Sequence, residues 1–103
     1  MEELTTKNFE EKTAHGVTFT DFWATWCGPC RMQGPVVEEL DDEMGDRVQF
    51  SKVDVDENQE LAQQFGIMSI PTMLIKKDGK VVDTIVGYHP KEALKKEIEQ
   101  YLD

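Results

Sequence analysis

Apolar and polar positions alternate in short blocks along this chain, and the period changes from block to block. Leu4, set among polar neighbours, is expected to start a short edge strand. Thr6 to Ala14 reads as a first helix, with Thr6 as its cap and Phe9 facing inward. Val17 to Ala24 is rich in Val, Thr, Phe and Trp, which predicts a strand. After Cys27 the period lengthens. Val36, Val37, Leu40 and Met44 recur at helical spacing, and Gly45 ends that helix. Val48 to Val55 predicts another strand, and Asn58 to Phe65 a short helix stopped at Gly66. Met73-Leu74-Ile75, the turn Lys77-Asp78-Gly79-Lys80 and Val81 to Val86 predict a hairpin. Pro90 opens a last helix through Leu102, with Leu94, Ile98 and Tyr101 on one face.

The resulting order is β-α-β-α-β-α-β-β-α. Alternation in the first half favours parallel crossovers, and the second half ends in an antiparallel hairpin and a helix. The expected class is α/β, a mixed central sheet with helices on both faces. A chain of 103 residues buries about 65% of its extended surface, enough for one core. Residues 1–103 are therefore read as a single domain, without repeats, linkers or low-complexity tracts.

Composition narrows the function. Hydrophobic residues make up 39%, too many for a disordered chain. No apolar run approaches the ~20 residues of a membrane span. Acidic residues number 21 against 11 basic, leaving a net charge of −10. That excess repels a phosphate backbone and an anionic lipid surface alike, so neither nucleic acid nor membrane is an expected partner. Met1-Glu2-Glu3-Leu4 lacks the basic and apolar regions of an export signal, which points to the cytosol. Thiols there are mostly reduced. The two cysteines, Cys27 and Cys30, do not make the framework of a small secreted scaffold. They are metal-binding, redox-active or inert.

Trp26-Cys27-Gly28-Pro29-Cys30 falls where a strand gives way to a helix. A helix beginning near Cys27 sets free N–H groups and the positive end of its dipole beside that sulfur. Both favour the thiolate, the nucleophilic form. Cys30 lies one turn deeper, within disulfide reach. Cys27 is thus read as the exposed attacker and Cys30 as the resolving thiol. Gly28 leaves the approach open, and Pro29 is tolerated in a first turn. Zinc usually takes four ligands, and only His15 and His89 remain to supply them, without paired spacing. No metal is expected, and neither histidine is given a catalytic role.

Asp21 shares a strand face with Val17, Phe19 and Trp23. Buried there, its carboxyl would titrate high and exchange a proton with Cys30; a twisted strand would leave it at an exposed end instead. Lys52 shares a face with Val48 and Phe50 and could partner Asp21, unless a bulge turns it to solvent. Trp23 and Phe22 are read as core. The acidic residues Glu38, Glu39, Asp41, Asp42, Glu43 and Asp46 are read as a solvated helix face. Arg31 is the one charge from Trp26 to Met32, so the acidity is expected to lie away from the thiols.

The run Asp21-Phe22-Trp23-Ala24-Thr25-Trp26-Cys27-Gly28-Pro29-Cys30 resembles the active-site segment of the thioredoxin family, and the match extends over nearly the whole chain. Pro35 falls where the family kinks its long helix. Lys52 matches the lysine beside the buried aspartate, Ile70-Pro71-Thr72 the cis-proline segment, and Gly87 the late glycine bordering the site. Thr18, Thr20 and Gly34 depart from the usual residues and could lower stability.

The resemblance implies a thioredoxin fold, with about five strands and about four helices. It implies a cytosolic thiol–disulfide oxidoreductase that reduces protein disulfides. Cys27 would be the nucleophile, Cys30 the resolving thiol, Asp21 the proton acceptor and donor, and Lys52 the residue tuning Asp21. Trp26, Gly28, Pro29, Ile70, Pro71 and Gly87 would position the substrate, with Ile70 pairing its backbone to an extended partner. Trp26, Pro29, Met68, Ile70 and Tyr88 would form an apolar rim around Cys27. No bound cofactor is implied. Electrons would come from NADPH through a flavin-containing thioredoxin reductase, which with disulfide-containing proteins makes up the expected partners. A monomer is expected. The other function open to such a chain is that of a redox-independent binding subunit in a larger assembly.

Overall fold

A computed structural model describes residues 1–102. Asp103, the last residue of the expected domain, lies outside the described residues. The elements in chain order are β1 (Glu2–Glu3), α1 (Phe9–Lys12), β2 (Val17–Trp23), α2 (Gly28–Met44), β3 (Gln49–Asp54), α3 (Gln59–Gln64), β4 (Thr72–Lys77), β5 (Lys80–Val86) and α4 (Lys91–Glu99). They form a five-stranded sheet in the order β1-β3-β2-β4-β5. β1 and β2 run parallel to β3, while β4 runs antiparallel to both β2 and β5. This is the mixed sheet that the alternation predicts.

The central position of β2 explains its composition. Both faces of a central strand are covered, so its side chains from Val17 to Phe22 are all buried. Phe19 points with Phe50, Met73 and Ile75 into a core closed by Val37, Leu40 and Met44 of α2 and by Leu94 and Ile98 of α4. Phe22 points the other way, with Val53 and Leu74, onto Leu4, Phe9 and Leu61. Thr20, on that second side, bonds its hydroxyl to Ser51 at 2.9 Å. That bond offsets part of the cost of a hydroxyl in a central strand.

Several boundaries differ from the sequence reading. β1 ends before Leu4, whose N–H still continues the ladder to Lys52 O at 2.8 Å. The first helix is Phe9–Lys12, with Asn8 rather than Thr6 before it. Thr6 N–H is held instead by Asn58 Oδ1 at 2.9 Å, from the start of α3. The strand expected over Val48 to Val55 is Gln49–Asp54, and the last helix stops at Glu99, followed by turn-type bonds to Tyr101 and Leu102. Gly45 does close α2, without a left-handed backbone. Glycine is required there by a close approach, since a Cβ would meet Asp41 O at 2.5 Å. The hairpin turn is as expected: Asp78 at φ 50 and Gly79 at φ 86 take the paired left-handed conformations that an Asp-Gly turn favours.

Candidate active site

β2 and α2 build the site between them. β2 ends at Trp23, and the chain turns so that Cys27 N–H reaches Ala24 O at 3.2 Å. Cys27 is the N-cap of α2, extended at φ −87, ψ 111, and its sulfur accepts the N–H of Cys30 at 3.2 Å. The sulfur thus takes the place of a capping oxygen, at the positive end of a 17-residue helix. Pro29 sits in the first turn, where no intrahelical bond needs its N–H. Pro35 lies inside α2 with its ring exposed.

Cys27 and Cys30 are joined by a disulfide, with Cα atoms 5.3 Å apart. Their exposures are 3% and 5%, so the reading of Cys27 as the exposed thiol is corrected. What distinguishes Cys27 in this oxidised state is its surroundings rather than its accessibility. It has the helix terminus on one side and Ile70 O at 3.7 Å on the other.

The Ile70–Pro71 peptide is cis, with Pro71 buried and Ile70 half-buried. Gly87 N–H bonds Pro71 O at 2.8 Å, from a backbone at φ 87 that favours glycine. Trp26, Met68 and Ile70 meet around a groove of about 380 Å³ that also takes in Val55, Ile67 and Ser69. Pro29 and Tyr88 are exposed but do not line this groove. Trp26 is 66% exposed, and its indole N–H donates to Asp56 Oδ2 at 2.8 Å. Asp56 thereby brings one acidic group to the thiol face, from which the acidity was expected to lie away.

Asp21 lies on the other side of Cys30. It is 2% exposed, and its Oδ1 has no hydrogen-bond partner. Burial raises its pKa from 3.8 to about 7, against the opposing pull of the Lys52 ammonium. Asp21 and Lys52 are register partners in an unbroken β2–β3 pairing, so no bulge diverts the lysine. Lys52 Nζ stands 5.3 Å over the Trp23 ring. These residues share a cavity of about 400 Å³ with Ala24, Cys30 and Pro35. Trp23 is therefore more than a core residue. It walls this cavity, and its indole N–H has no partner.

Gln33 belongs to the site although no motif singles it out. This fully buried side chain of α2 donates from Nε2 to His89 O at 3.0 Å and accepts His89 N–H at 2.8 Å. His89 Nδ1 lies 2.9 Å from Gly87 O. A glutamine at an inward helical position, next after Cys30 in the apolar stripe, was the available signal. Arg31 is tied to Thr25 O at 3.1 Å. Among the described residues, no group of three or more His, Cys, Asp or Glu side chains forms a metal site, and no helix is long and apolar enough to cross a membrane.

A helix-capping cysteine bonded to a second one a turn later, with a high-titrating carboxyl behind, defines a protein of thiol–disulfide exchange. Comparison with known proteins agrees. The sequence model of the family described as thioredoxin matches residues 1–100. The chain is 56% identical over 102 residues to the thioredoxin of Listeria monocytogenes, covering 99% of each. It is 56% identical over 100 residues to that of Bacillus subtilis, covering 97% of this chain and 96% of that one. The solved structure of a Malassezia sympodialis thioredoxin superposes with a TM-score of 0.90 at 43% identity, over 97% of this chain and 91% of that one. A mutant thioredoxin from Halobacterium salinarum superposes at 0.91 with 36% identity, over 99% of this chain and 90% of that one. The chain belongs to the thioredoxin family. It is a protein thiol–disulfide oxidoreductase whose redox-active pair is Cys27 and Cys30.

Proposed function

We propose that this chain works in the reducing direction, as a single domain of the cytoplasm that opens disulfides in other proteins. One observation carries the reading. Cys27 Sγ caps α2 and lies 3.7 Å from Ile70 O, so attacking sulfur and the backbone of a half-buried residue converge on one spot. Gly28 and Pro29 add no positive charge beside that sulfur, which favours a reductant over a strong oxidant.

In the proposed cycle, reduced Cys27 attacks as thiolate on one sulfur of a substrate disulfide. A mixed disulfide forms, and the other substrate sulfur leaves as a thiolate that takes up a proton. Ile70 offers its N–H and C=O to the extended substrate, with Pro71 and Gly87 fixing that segment. Trp26, Gly28 and Pro29 shape the approach. The Cys30 thiol then gives its proton to Asp21, whose pKa of about 7 makes the carboxylate available near neutral pH. Lys52 lowers that pKa and so keeps the base ionised. Cys30 attacks Cys27, closing the disulfide seen here and releasing the substrate reduced.

The oxidised chain would be recharged by a thioredoxin reductase, whose flavin passes electrons from NADPH. The chain itself needs no bound cofactor and acts as a monomer. The test is insulin-disulfide reduction with NADPH and a reductase. Turnover is expected in the parent and absent in Cys27→Ser, and Cys30→Ser should accumulate a dithiothreitol-labile mixed disulfide. Turnover surviving in Cys27→Ser would overturn the mechanism.

A further inference from the structure

Five methionines are spread along the chain, and their surroundings differ sharply. Met44 and Met73 are fully enclosed in the core below the sheet. Met1 is partly buried against that core. Met32 is 61% exposed on α2, and Met68 is 96% exposed on the segment leading to the cis peptide. Only Met68 lines the groove shared by Trp26, Val55 and Ile70. The carbonyl oxygen of that same Ile70 stands 3.7 Å from Cys27 Sγ.

An unbranched thioether on such a rim suits partners of differing shape, because it is polarisable and adopts many rotamers. It is also the most oxidisable side chain left when the thiols are tied up. In the disulfide form Cys27 and Cys30 are bonded to each other and no free cysteine remains.

We propose that Met68 is a reversible oxidation site, at which a peroxide converts the rim of the docking groove from apolar to polar and so weakens capture of protein disulfides. The inference rests on the proposed docking of protein substrates beside Cys27. The chemistry balances with the peroxide alone. A sulfur lone pair attacks one peroxide oxygen, the O–O bond breaks, and an S–O bond forms. The other oxygen leaves as water, having gained the proton of the transferred one. Sulfur loses two electrons and the peroxide gains two. The sulfoxide is returned to thioether by methionine sulfoxide reductases, with a dithiol giving up two electrons and two protons as it closes to a disulfide and the oxygen leaving as water. The dithiol is untouched, so the change falls on docking rather than on exchange.

The experiment starts from the disulfide form treated with hydrogen peroxide, with oxygen uptake mapped by peptide mass. Addition is expected at Met68 and Met32 and not at Met44 or Met73. The chain is then reduced, and single-turnover rate constants are measured with insulin and with a small aromatic disulfide. The insulin rate constant is expected to fall about fivefold, the loss of one apolar contact. The small-disulfide rate constant is expected to hold. Met32→Leu should keep this response, and Met68→Leu, whatever its own rate, should lose it. Failure of Met68 to oxidise overturns the inference, as does an unchanged insulin rate, an equal loss with the small disulfide, or an unaltered response in Met68→Leu. Any of these leaves protein-disulfide reduction by the untreated chain intact. An untreated chain that reduces small disulfides but not insulin overturns the proposed function and this inference together.

Discussion

Asp21 and Lys52 face each other across the parallel pairing of β2 and β3, and the lysine does not undo the burial of the carboxyl. Burial raises the Asp21 pKa from 3.8 to about 7, and Lys52 lowers it by less. A carboxyl with a higher pKa folded than unfolded binds more protons in the folded state between the two values. Stability should therefore fall as pH rises from the unfolded value through about 7, and stay lower above it. Asp21→Asn removes this titration and leaves no broken bond at Oδ1, which has no partner. The variant is expected to exceed the parent by about 4 kcal/mol at pH 8 and by about 2 kcal/mol at pH 5. Urea unfolding at both pH values measures the difference. A gap independent of pH would assign the gain to something other than titration.

The same pair sets the pH dependence of exchange. With the Lys52 charge gone, nothing offsets the desolvation of Asp21, and its pKa should move above about 7. Lys52→Gln is expected to shift the alkaline rise of the resolving step to higher pH, while Lys52→Arg keeps it in place. Asp21→Asn should abolish the rise and slow that step by about 100-fold at pH 7. Stopped-flow release of substrate from the mixed disulfide, followed across pH, separates the three outcomes.

Lys76 presents the reverse case of a buried cation. Its Nζ donates to Thr13 Oγ1 at 2.8 Å, stands 3.5 Å from Glu10 Oε2, and lies 4.9 Å over the Phe9 ring. Glu10 is largely exposed, so that attraction is screened. One hydroxyl and two aromatic faces are modest compensation for a desolvated ammonium. Lys76→Met, similar in volume, is expected to be neutral or to stabilise by about 1–3 kcal/mol. Thr13→Val should cost about 1–3 kcal/mol in the parent and less in the Lys76→Met background. Denaturant unfolding of the four proteins as a double-mutant cycle checks the coupling.

What could be read ahead of the structure follows the range of each interaction. The apolar run of β2, the helical stripe of α2 and the Asp-Gly hairpin turn are local patterns, and each lies where its period predicts. The thiol pair is equally local, since three positions in a first helical turn bring two sulfurs together. Thr6 misled because its hydroxyl and its N–H both turn to Asn58 Oδ1, 52 positions away, and the helix opens after Asn8 instead. Trp26 and Asp56 are 30 positions apart, and neither period nor composition pairs them. Alternation did put Trp23 on the face of Asp21. It did not reveal that the strand ends there, which turns a core residue into a cavity wall.

Gln33 should act on the site at a distance. Its amide bonds both backbone groups of His89, 56 positions away, which straps the segment after β5 to α2. Within that segment Gly87 N–H holds Pro71 O, and Pro71 follows the Ile70 that stands beside Cys27. Gln33→Leu keeps the bulk and frees the two His89 groups, at a cost of about 2–4 kcal/mol. Gln33→Glu keeps the acceptor for His89 N–H but buries a carboxyl against His89 O, so its loss should grow as pH rises and the carboxyl ionises. The helix terminus at Cys27 is untouched by either change, so the ultraviolet titration of its thiolate should not move. Single-turnover reduction of insulin should slow in Gln33→Leu by about threefold, from looser placement of the Ile70 backbone, with the small-disulfide rate preserved. An equal loss on both substrates, or a shifted thiolate titration, would place the effect in the thiol pair and not in the strap.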